Sequence, residues 1–297
     1  MSEHSGYIDT LRKQTGLRLF VLFAAFFIFL IAIGGISGLI MSIPGIGERN
    51  AILISSALQN IFAFSLPAWL AARFASDHPM RFLGLTQRIG IKPFIGVVIV
   101  FIVAMPAMNW LIAWNESVHF PDWAAGFEKT LRGWEESNSG MADKALAADS
   151  FLQMLVGILV IGMLTGIGEE SFFRGGMQRI FCESGCKTWI AVWGGAFVFS
   201  AFHFQFFGFL PRMLMGAFFG YLLVWTGSLW PGIFAHALNN STVVVAAWIF
   251  GDPDKADFMT PPASGIPWGA IVSATLTIML LTKYKDLFFT TTKQTNG

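Results

Sequence analysis

Residues 165–178 read T-G-I-G-E-E-S-F-F-R-G-G-M-Q. Two glutamates, Glu169 and Glu170, stand side by side, and Arg174 follows one helical turn later. Nothing charged occurs from Met154 to Gly166. The surroundings make these charges unusual. Hydrophobic residues make up 55% of the 297, charged residues 12%, and the mean hydropathy is +0.62. A soluble domain carries about twice that charge, so the chain reads as an integral membrane protein. A net charge of +1 gives no field for nucleic acid. Cys182 and Cys186 are too few for a disulfide framework and are expected to be free thiols.

Outward from this stretch, apolar runs with few charges, candidates to cross about 30 Å of hydrocarbon as helix, fall at about 19–41, 51–72, 94–114, 152–182, 188–206, 210–226, 229–250 and 268–282. None alternates with the period of barrel strands, and lipid leaves no other spanning structure but helices. The expectation is an all-α polytopic membrane protein of about eight transmembrane helices, one domain over 1–297. Eight spans put Arg12, Lys13, Arg18, Arg73, Arg81, Arg88, Lys92, Arg174, Arg179, Lys187, Lys283, Lys285 and Lys293 on one side. Arg49, Lys129, Arg132, Lys144, Arg212 and Lys255 fall on the other. Thirteen against six places both termini in the cytoplasm by the positive-inside bias. The connection 115–151 then lies outside as an acidic, amphipathic segment on the membrane surface. Within it Glu135 and Glu136 are also adjacent, but with Gly140 four residues on they read as a solvated charge cluster. Gly34/Gly38, Gly162/Gly166 and Gly216/Gly220 are spaced for close helix approach.

Ionisable groups inside spans are costly and by default functional. Here they are Glu169, Glu170, Arg174, His203 and His236, with the amides Asn239 and Asn240 beside the last. Glu170 and Arg174 are i and i+4 and share a face; Glu169 is turned about 100° away. One glutamate can therefore be neutralised while the other points elsewhere. Measured from the charged turn at 183–187, Glu169 and His203 rise to similar heights, about 21 and 24 Å. His236 reaches them if the uncharged turn 226–232 is recessed. The same two turns suggest a cavity opening on the cytoplasmic side. A carboxylate and an imidazole can activate water, and an imidazole with an amide can hold an oxyanion. Glu169, His203 and His236 could also ligate a metal, although the spacing is not that of a zinc helix.

G-E-E-S-F-F-R (168–174), F-S-A-F-H (199–203) and H-A-L-N-N (236–240) together resemble the CPBP family of intramembrane proteases, the CAAX protease and bacteriocin-processing group that includes the type II CAAX prenyl endopeptidases. The resemblance implies eight helices with a catalytic core over 152–250, and a glutamate-dependent peptidase needing neither metal nor other cofactor. It implies that Glu169 is the base for water, that His203 positions the water, and that His236 and Asn240 form the oxyanion hole. Glu170 and Arg174 would orient the site and contact substrate. Some prenyl endopeptidases carry asparagine four residues after the second-motif histidine; here Phe207 stands there. A membrane-associated peptide or protein is thus the expected substrate, the cell membrane the expected location, and lipid the expected surroundings. Two alternatives stay open: a proton-coupled transporter using a Glu/His relay, and a catalytically silent scaffold or peptide-immunity protein on the same fold.

Overall fold

The computed structural model describes residues 13–251 and 267–288, and every regular element among them is helical. Arg12, Lys255 and Lys293, which enter the charge count, lie outside the described residues, as do both chain ends. The helices are α1 (Thr15–Met41), α2 (Glu48–Ala75), α3 (Lys92–Glu116), α4 (Ala125–Leu146), α5 (Phe151–Glu183), α6 (Thr188–Ala201), α7 (Phe209–Thr226), α8 (Trp230–Phe250) and α9 (Trp268–Phe288). Helix occurs at all eight expected places. Six of these helices (α1, α2, α3, α5, α7 and α8) are long and apolar enough to cross a membrane, which makes this a multi-pass membrane protein. The expected eight is narrowed at α6, which has 14 residues and rises about 21 Å, and at α9, whose last turns carry Lys283, Lys285 and Asp286.

The chain punctuates these helices with ordinary chemistry. Ser150 caps α5 by accepting from the Gln153 amide at 3.3 Å. Gly227, at φ +66°, ends α7, and Pro231 sits in the first turn of α8. Two features escape a 3.6-residue reading. Residues 59–65 in α2, and 158–164 and 171–178 in α5, form wider π turns. The last two bracket the segment Thr165–Glu170, and such turns gather at functional sites.

Phe26, Phe64, Phe172, Phe173 and Phe199 make an aromatic core joining α1, α2, α5 and α6. A Cβ on Gly166 would meet the Ile233 carbonyl at 3.1 Å, and one on Gly220 would meet Gln178 Oε1 at 2.6 Å, so both glycines permit contacts a larger residue would block. Gly34 and Gly38 meet nothing within 4 Å, and that pair brings no described helix close.

The polar groups outside the bilayer core gather at two ends. At one, Arg18 pairs with Glu183 at 3.0 Å, the Leu229 amide donates to Gly84 O at 3.0 Å, and Tyr284 donates to Pro93 O at 2.7 Å. At the other, Lys144 pairs with Glu48 at 2.6 Å and Arg49 donates to Gln153 O at 2.8 Å. The same end carries α4, which lies within the 115–151 connection. Leu131 and Ala145 are the buried positions of α4, while Phe127, Trp134 and Met141 stay exposed.

Candidate active site

Helix α5 carries both acids, and its geometry separates them. Glu170 is fully buried and its Oε1 accepts from Arg174 Nη1 at 2.8 Å. His236 on α8 brings its Nδ1 to the same oxygen, also at 2.8 Å. Arg174 donates on to Gly216 O at 2.9 Å, and its guanidinium lies 4.3 Å from the Phe199 ring centroid. One acid, one cation and one imidazole thus tie α5, α7 and α8 together in a dry interior. Such a cluster is tolerable only because each charge has partners.

Glu169 points elsewhere. Its Oε2 is buried without a hydrogen-bond partner. It faces His236 Nε2 at 3.8 Å and His203 Nε2 at 4.0 Å. These distances exceed a direct hydrogen bond and lie within reach of one bridging water. The ring tautomers follow from the other nitrogens. A carbonyl can only accept, so His203 Nδ1, 2.9 Å from Phe199 O, carries the proton. His236 Nδ1 likewise donates to the Glu170 carboxylate. In neutral rings both Nε2 atoms are then acceptors turned toward Glu169.

Asn240 lies one turn beyond His236. Its Nδ2 donates to Ile161 O at 3.1 Å, and its Oδ1 accepts from Asn239 at 3.2 Å. Asn239 therefore fixes which end of the Asn240 amide points where, and one N–H of Asn240 remains uncommitted by these bonds. Glu169, His203, His236, Asn239 and Asn240 all line one cavity of roughly 80 Å³, with Arg212 and Thr165 on its wall. That is room for a few waters. Among the described residues no group of three or more His, Cys, Asp and Glu side chains is arranged to hold a metal ion. Cys182 and Cys186 are free thiols away from the cavity.

Three expectations need correction. The cavity does not lead toward the 183–187 turn. Exposure of the side chains falls from His203 (30%) to Glu169 (13%) to His236 (6%) to Glu170 (0%), so the groups open toward the 203–208 turn. The opposite end is stopped by Arg174 on Gly216 O and by Gln178 on Gly220 O. Nor is the 226–232 turn an opening: the Leu229 amide, Ser228 hydroxyl and Trp230 indole are bonded to the carbonyls of Gly84, Gln87 and Leu85. Finally, Glu135 is not a solvated acid. Its Oε2 accepts from the Phe207 amide at 3.0 Å, whereas Glu136 is exposed.

Sequence reasoning also missed Arg212, which entered only the count of cations by side. It is half-buried, and Gln205 Oε1 accepts from its Nη2 at 2.6 Å. Its position directly after Pro211, at the start of an apolar helix, was the available signal. Phe207 is 2% exposed, with the Arg132 guanidinium 3.8 Å above its ring. Where some prenyl endopeptidases use an amide, this chain uses a ring that seats α4.

Residues 151–242 match the family model described as Rce1-like, type II CAAX prenyl endopeptidase. The recognition made from three motifs is borne out. The matched segment runs from the start of α5 into α8 and contains every cavity residue named above. It implies a protease, a hydrolase of peptide bonds, in a multi-pass membrane setting. No curated protein and no solved structure matches the chain.

Proposed function

We propose that the protein is a glutamate-dependent, metal-independent intramembrane endopeptidase. It spans the cell membrane eight times with both termini cytoplasmic, and 152–250 is its catalytic core. The observation that carries this reading is the unpartnered Glu169 Oε2 facing two imidazole Nε2 atoms at 3.8 and 4.0 Å.

A water held among these atoms gives its proton to Glu169 as its oxygen attacks the peptide carbonyl carbon. His203 accepts a hydrogen bond from that water and fixes its direction. The carbonyl becomes an oxyanion, held by the free N–H of Asn240 and by His236 Nε2. Donation from Nε2, with Nδ1–H already on Glu170, calls for the doubly protonated ring, and Glu170 is the counter-charge suited to it. Glu169 then returns its proton to the leaving amine as the C–N bond breaks. Glu170 and Arg174 position His236. The substrate is a membrane-associated peptide or protein.

Peptide products from membranes containing the intact protein should be compared with those from its Glu169→Ala form. Products present with the first and missing with the second are expected; identical sets reject the reading. Strong chelators in detergent should leave turnover intact. Loss on chelation with rescue by Zn²⁺ would make this a metalloprotease, with Glu169, His203 and His236 as ligands.

A further inference from the structure

We infer that the cavity is reached from the extracytoplasmic face, and that the cleaved segment is the extracytoplasmic juxtamembrane part of a membrane-anchored polypeptide. The sidedness stands on charge and geometry alone; the substrate clause rests on the peptidase reading above.

The two polar ends of the molecule differ in cation count. Arg174 is buried and belongs to neither. Among the described residues the end with the 183–187 turn then holds ten lysines and arginines, and the end with α4 holds five. These cations lie in the helix ends or in connections that are each under about 60 residues, the length over which the positive-inside bias operates. The ten-cation end is thus cytoplasmic. Its closure is extensive: Arg18 to Glu183, Leu229 to Gly84, Trp230 to Leu85, and Tyr284 to Pro93. Beneath it lies the Glu170–Arg174 pair, 0% and 2% exposed.

The five-cation end is built differently. His203, more exposed than Glu169 or His236, stands at its turn, and the next residue, Phe204, has φ +51° and is 67% exposed. A bulky residue rarely adopts that left-handed backbone, and such strain gathers at functional sites. Asn138 of α4 donates to His203 O at 3.5 Å and Glu135 accepts from the Phe207 amide at 3.0 Å. Helix α4 therefore holds the turn that carries the water-positioning imidazole. Exposed Phe204 and Phe206 lie on this turn, and exposed Phe127 stacks on Phe120, which packs against Phe206, an apolar surface suited to an extended segment leaving the lipid. A lipidated tail on the cytoplasmic leaflet would instead meet the closed end.

The test uses the full chain in the cytoplasmic membrane of a bacterial host. In a cysteine-free background (Cys182→Ser, Cys186→Ser), single variants Phe204→Cys and Ser184→Cys are treated with a membrane-impermeant maleimide. Phe204→Cys should be labelled in intact cells, while Ser184→Cys labelling is lost unless the cells are permeabilised. Labelling of Ser184→Cys in intact cells, or failure of Phe204→Cys to label there, overturns the sidedness whatever the activity. The substrate clause is read separately from new protein termini in membranes of cells with the intact chain against Glu169→Gln. Termini at extracytoplasmic juxtamembrane positions support it, and termini confined to cytoplasmic tails overturn it. No difference in any terminus rejects the peptidase reading and leaves the thiol result standing.

Discussion

The chain contains two pairs of neighbouring glutamates, and they have opposite fates. In α5, Glu170 is paired through Oε1 with Arg174 and His236, while Glu169 has only the 3.8 and 4.0 Å approaches of two imidazoles; the Oε2 atom of each acid is buried without a hydrogen-bond partner. In α4, Glu135 reaches across to the Phe207 amide while Glu136 faces out. In each pair one acid is structural and the other is free. What differs is the medium. Water solvates Glu136 at no cost, whereas Glu169 is held inside the protein with no arginine or lysine among the described residues bonded to it, and an intramembrane acid in that state is by default functional. Adjacency alone says little; adjacency where the neighbour cannot be hydrated says a great deal.

The contrast can be broken or sharpened by substitution. Glu169→Gln should lower turnover by about 10²–10⁴-fold, the usual worth of a general base. It should leave the thermal midpoint unchanged or raised, because a buried unpaired acid is removed; full activity in this variant would overturn the contrast. Glu170→Gln leaves Arg174 buried without its counter-charge. It should cost about 3–5 kcal/mol in stability, read as a lowered unfolding midpoint in detergent, with activity falling as His236 loses its partner. Glu135→Ala should cost about 1 kcal/mol and reduce turnover several-fold by freeing the 203–207 turn, which hydrogen exchange at the Phe207 amide would register. A pH titration concerns Glu128 on the same helix. The Phe120 amide first, then Arg132, hold its carboxyl down to about 2 from the ordinary 4.5. Its folded-state value is depressed, so its contribution is full above about 4.5 and is lost as pH falls through about 2. Exchange of the Phe120 amide should quicken across that window and not above it. Glu136→Ala should change stability by no more than about 0.5 kcal/mol.

Much of this was legible beforehand for physical reasons. Apolar runs mark helices because lipid tolerates no open backbone, and the pairing of Glu170 with Arg174 follows from i, i+4 geometry, here 2.8 Å. The Glu170–His236 contact was not legible, since sequence gives no azimuth between α5 and α8. The π turns at 158–164 and 171–178 carry no reliable residue code, yet they set how α5 presents its acids. The direction of opening was misjudged from the uncharged 226–232 turn. An absence of charge there reflects burial under residues 84–87, a tertiary contact that composition cannot report. Arg212 was hidden for the converse reason: a cation near a span end is usually a loop residue, and its approach to the cavity depends on Gln205.

Arg174 also has a history within each molecule, set by the order of synthesis. When α5 leaves the ribosome, Glu170 is the sole counter-charge within one turn of it. The Phe199 ring arrives with α6, the Gly216 carbonyl with α7, and the imidazole that shares Glu170 only with α8. An unpaired arginine at the centre of an inserting helix opposes insertion by about 2.5–3.5 kcal/mol. Nascent chains stopped before Gly216 should therefore hold α5 loosely in the bilayer and be cleared quickly, and chains carried past His236 should persist.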